Sequence, residues 1–172
     1  MHQFFISTIC CAFLFLSTEH AYSKQPTCNR ATCSRSQSGQ QNVIFNFSGL
    51  KRGAVSTSCY HNPCSVAKIV SFRQLETTRE YSRIELQLVG GEKAWNTRRI
   101  RWNPRPHTVT VNCSIQHPSI STAGETTLIP LGSETGVPGV LVSSAELYLL
   151  ACHNFRGSLN EAATKYGYHV SW

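Results

Sequence analysis

The chain has 172 residues, 41% of them hydrophobic, with 16 Lys and Arg against nine Asp and Glu, and a formal net charge of +7. That length suits one domain able to bury a sizeable core. The acids are all Glu, so a Ser-His-Asp triad is excluded, and past the first 23 residues no apolar run approaches the ~18 residues that mark a membrane span.

Residues 1–23 read as a secretory signal peptide. Met1-His2-Gln3 precede an apolar stretch over 4–16, a polar stretch follows, and Ala21 and Ser23 put small residues at −3 and −1 of a cleavage site. At 1.5 Å per residue the apolar stretch would make only ~20 Å of helix, too short for a bilayer core of ~30 Å. Cys10 and Cys11 lie inside it and are discarded with it. The expected location is secreted or periplasmic, with bacterial and eukaryotic origins both open. Because Glu19 leaves with the leader, the exported part is more basic than the whole chain. Such a surface attracts polyanions: nucleic acid, lipopolysaccharide or anionic lipid, acidic glycan, or an acidic protein face.

Residues 24–42 are polar, run through Ser34-Arg35-Ser36-Gln37-Ser38-Gly39, and are expected to form a flexible arm, since they bury too little apolar area to offset ordering. From 43 to 172 a single β-rich domain is predicted. Val43, Phe45 and Phe47 alternate with other positions, as do Ile84, Leu86 and Leu88. The cleanest strand is 107–115, with Val109, Val111, Cys113 and Ile115 on one face and Thr108, Thr110, Asn112 and Ser114 on the other. Further strands are expected over 54–60, 66–75, 98–102, 126–131, 140–143 and 145–152. Turn signals stand at Asn62-Pro63, Gly90-Gly91, Asn103-Pro104-Arg105-Pro106, 121–124 and 132–139. About eight short strands with this punctuation predict an all-β antiparallel sandwich or barrel. One short C-terminal helix closes the chain over about 158–166. Ser158 and Glu161 form a capping box, Leu159, Ala162, Ala163 and Tyr166 make one stripe, and Gly167 follows as a stop.

Six cysteines remain after the leader: Cys28, Cys33, Cys59, Cys64, Cys113 and Cys152. In an oxidising compartment they imply three disulfides, for which 15 connectivities exist. The favoured set is two local loops, Cys28 with Cys33 and Cys59 with Cys64, plus Cys113 with Cys152 joining two inward-facing strands. A zinc site using the Cys pairs and His61 competes, but free thiolates are disfavoured in that compartment, so no metal or cofactor is expected.

The sharpest chemical feature is the segment 93–107. It carries Lys93, Arg98, Arg99, Arg101 and Arg105, two tryptophans, Trp95 and Trp102, and His107, with no acid among them. If 98–102 is a strand, Arg99 and Arg101 share one face, and Ile100 and Trp102 share the other with Arg98. Guanidinium groups bind phosphate, sulfate or carboxylate in bidentate fashion, and indole faces stack on bases or sugars. This pattern predicts a non-catalytic protein that binds an anionic partner. The competing expectation is structural, with Trp95 and Trp102 as core anchors beside a solvated Arg face. An alternative is a secreted inhibitor or effector that docks Tyr60 and His61 of a bridged Cys59–Cys64 loop into a protein cleft. A second alternative is a small His-dependent hydrolase. His61, His107, His117, His153 and His169 are available, yet no hydrolase motif occurs, and a ten-residue strand would hold His107 and His117 ~33 Å apart.

Overall fold

The computed structural model describes residues 45–170, so the leader, the polar arm, Val43 and the Cys28–Cys33 pair lie outside the described residues. Seven antiparallel strands form one sheet: β1 (Val55–Ser58), β2 (Cys64–Thr77), β3 (Tyr81–Lys93), β4 (Arg101–Trp102), β5 (His107–Ser114), β6 (Ser119–Thr122) and β7 (Glu125–Leu128). Their order is β1-β2-β3-β5-β6-β7, with β4 pairing β3. The expected disulfide-stapled, antiparallel β domain is therefore present, as an open sheet and not a closed barrel.

Period-two patterning places the strands. Val109, Val111 and Cys113 of β5 are buried while Thr110, Asn112 and Ser114 are not, and in β3 Ile84, Leu86 and Leu88 are buried beside them. The pairings Ile84↔Val111 and Leu86↔Val109 put both apolar rows on one face. The opposite face is polar: Arg73 pairs with Glu85 at 2.9 Å, and Gln87 Nε2 donates to Thr108 Oγ1 at 2.6 Å.

The layer over the apolar face is helical, which corrects the reading of 140–143 and 145–152 as strands. A 3-10 turn, Gly139–Leu141, leads into α1 (Val142–His153). Leu147 through His153 are all buried in α1, so its last two turns show no polar stripe, while Ser143, Ser144 and Glu146 leave its start partly open. Asn154 stops it in the left-handed region at φ 49°. The short C-terminal helix falls where its capping box places it. It is α2 (Leu159–Tyr166), with Ser158 Oγ accepting from Glu161 N–H at 3.2 Å and Gly167 at φ 72°.

Three other expectations change. Phe47–Gly49 is a 3-10 turn, not a strand, and Phe45 and Phe47 pack against the core. Arg98 and Arg99 precede β4, which holds only Arg101 and Trp102, so Arg99 and Arg101 do not share a strand face. Gly90-Gly91 is not a turn but the interior of β3. A Cβ at Gly91 would lie 2.7 Å from Arg101 O and 3.0 Å from Trp102 Cε3, so glycine lets the neighbouring strand approach. The turn that joins β2 to β3 has neither Gly nor Pro. Thr78 Oγ1 builds it by accepting from Glu80 N–H at 3.3 Å and Tyr81 N–H at 3.1 Å.

Both expected bridges among the described cysteines are present. Cys59–Cys64 closes the connection from β1 to β2, and Cys113–Cys152 ties β5 to α1. The second joins strand to helix, in place of the expected strand to strand.

Candidate functional site

The structure joins two stretches that the sequence presents as rival sites. The Cys59–Cys64 loop is exposed at Tyr60 and His61 and folds on itself through His61 Nδ1, 2.9 Å from Pro63 O. Trp95, just past the end of β3, reaches back to it. Its indole Nε1–H donates to His61 O at 3.1 Å, and its backbone N–H donates to Asn62 Oδ1 at 3.2 Å. The register explains the meeting, because Cys64 opposes Lys93 directly across β2 and β3. Trp95 is thus no core anchor: it stays 62% exposed, with its single polar atom already bonded.

The loop also touches the start of the helical layer. Gly139 lies so close to the Tyr60 ring that any side chain there would collide with it. The next residue, Val140, is 86% exposed, and Tyr60 itself 64%. Trp95 is thus tied to the loop at His61 and Asn62, and Gly139 to the same loop at Tyr60, with the exposed Val140 next to Gly139 in the chain. The contact of Gly139 with Tyr60 is invisible in the sequence, since about eighty positions separate the two.

The remaining residues of 93–107 divide. Trp102 is half-buried beside Gly91 and carries the Lys68 ammonium 4.8 Å over its ring. Arg101 pairs with Glu92. Lys93, Arg98, Arg99 and Arg105 have no side-chain hydrogen bond or ion pair to any described residue, and the three arginines are exposed. His107 lies elsewhere: its Cε1 would be 3.7 Å from a Cβ at Gly90, and with Asn103, Thr122, Ser143 and Ser144 it lines an open cleft of about 320 Å³. His107 begins β5 and His117 lies past its far end, so the two imidazoles remain apart as the strand length requires.

A second polar constellation is buried. Tyr148 Oη donates to Ser114 O at 2.9 Å and accepts from Ser114 N–H at 3.0 Å; it also lies 3.0 Å from Tyr168 Oη, which is 2.7 Å from His153 Nε2. Proton counting orients the chain. Tyr148 spends its one proton on Ser114, so Tyr168 donates to Tyr148 and His153 donates from Nε2. His153 Nδ1, buried with no partner, is then a bare lone pair and not a stranded donor, the cheaper of the two arrangements. Burial, with Lys165 nearby, lowers the His153 pKa to about 4, and burial raises both phenols above the ordinary tyrosine value. With Tyr166 stacked on His153 at 3.8 Å, this cluster holds α1, α2 and the end of β5 together and reaches no cleft residue named above.

Comparison with known protein families, curated proteins and solved structures returns no match for this chain.

Proposed function

We propose that this protein is an exported, non-catalytic binding protein whose basic and aromatic segment, 93–107, contacts an anionic partner. The supporting observation is charge left unused. Of five cations in the segment, Arg101 alone is paired with a described acid, while Arg98, Arg99 and Arg105 stand exposed. Exposed guanidinium groups contribute little to the fold, so their cost in local repulsion is better explained by a partner that neutralises them. The two disulfides fit an oxidising compartment, in keeping with the leader-like start of the chain.

The test is binding to heparin, lipopolysaccharide and an oligonucleotide over a salt series. Affinity should fall steeply with salt, because bound cations release counterions from the polyanion. Arg98→Ala with Arg99→Ala should weaken binding roughly tenfold or more at low salt and flatten the salt slope. Binding that ignores both salt and the double substitution would overturn the assignment.

A further inference from the structure

We infer that Trp95, Tyr60 and Val140 form a docking tip for the headgroup layer of an anionic lipid membrane. This deepens the reading above and rests on it: the anionic partner becomes a lipid surface, and the aromatic side chains gain a role beside the cations.

Two observations favour a lipid surface over a polyanionic chain, and a third suits any anionic surface. The first is Val140, an aliphatic side chain 86% exposed and next in the chain to Gly139, which touches the ring of Tyr60, itself 64% exposed. A sulfated glycan or a nucleic acid backbone gains nothing from valine, whereas the boundary between headgroups and acyl chains does. The second is Trp95. Its N–H is bonded to His61 O, so the ring offers apolar faces and edges with no donor to leave unsatisfied when water is displaced. Tryptophan and tyrosine favour this interfacial depth. The third is charge complementarity: Lys93 and Arg98 flank Trp95 in sequence, Arg99 follows, and none is ion-paired to a described acid. Long basic side chains lay their stems on apolar surface and hold their charges at headgroup level. One basic residue near an anionic leaflet contributes roughly fivefold in partitioning.

The tip is also preorganised. The Cys59–Cys64 bridge, the two bonds from Trp95 and the Gly139 contact fix it before contact, so docking orders little new backbone. No helix among the described residues is long and apolar enough to cross a membrane.

The experiment uses the oxidised chain with phosphatidylcholine vesicles, mixed phosphatidylcholine–phosphatidylglycerol vesicles, and heparin and an oligonucleotide as soluble polyanions. Co-sedimentation with the mixed vesicles, absent with phosphatidylcholine alone, is expected. A blue shift of tryptophan emission should accompany it and vanish in Trp95→Ala. Val140→Ser leaves every bond of the loop in place and should reduce vesicle partitioning roughly three- to tenfold without changing heparin affinity. Unaltered unfolding midpoints show that both variants are folded. Vesicle partitioning indifferent to both substitutions would overturn the inference. So would binding to heparin or oligonucleotide with none to vesicles, which leaves the broader reading standing. Failure to bind any of them removes both.

Discussion

The two disulfide-linked regions of this domain have opposite characters. Cys113–Cys152 is buried, spans 39 residues of sequence and joins the sheet to α1, and beside it Tyr148, Tyr168 and His153 use nearly all their polar atoms on one another. Cys59–Cys64 spans five residues at the surface, and the side chains it positions, Tyr60 and Trp95, face solvent. The first region uses its cross-link to hold the fold. The second uses one to hold a short loop whose Tyr60 and His61 stay exposed. The proposed lipid docking draws on the second region, the proposed anion binding on the unpaired cations of 93–107.

The strongest way to test that contrast is to remove each bridge. On the chain-entropy model, Cys113→Ala with Cys152→Ala should cost ~4 kcal/mol of unfolding free energy, and Cys59→Ala with Cys64→Ala only ~2 kcal/mol. Chemical denaturation measures both, and equal costs would break the division of labour between the two bridges. The next effect is a pH dependence confined to the buried region. His153 is held neutral, so between about 6.5 and about 4 the unfolded chain binds a proton that the folded chain rejects. Its contribution is complete above about 6.5 and is lost as pH falls to about 4, a change of ~3 kcal/mol. Unfolding free energies at pH 7 and pH 4 should show a smaller drop for His153→Gln than for the unaltered chain; parallel drops would remove His153 as the cause. The smallest effect tests the hydroxyl chain. Tyr148→Phe strands both polar groups of Ser114 and the Tyr168 proton and should cost ~2 kcal/mol, while leaving binding at the exposed tip unchanged.

Much of the sheet was readable because a half-buried strand writes its environment into every second residue. The rows Val109, Val111, Cys113 and Ile84, Leu86, Leu88 sit as their alternation requires. The cap of α2 was readable for a similar reason: Ser158 and Glu161 interact three residues apart, with no help from the rest of the chain. α1 was not readable. The last two turns of α1 are enclosed on all sides and need no polar face, so their run carries no period to set it apart from a buried strand. Gly90-Gly91 misled for a related reason. Glycine serves a turn or a close strand approach equally well, and Trp102, the residue that demands the approach, comes from another strand.

By itself the sequence determined the inward rows of β3 and β5, the last helix and the excess of positive charge, all of them set by neighbours in the chain or by composition; it favoured the two cysteine pairs seen here without choosing among the 15 connectivities. Tertiary structure alone decided that the Cys59–Cys64 loop meets Trp95 and Gly139, and that Trp102 is half-buried while Trp95 stays in solvent. The reason is the range of the forces involved. Alternation and capping act over a few residues, whereas the contacts of that loop with positions 95 and 139 exist only once β2, β3 and α1 have packed.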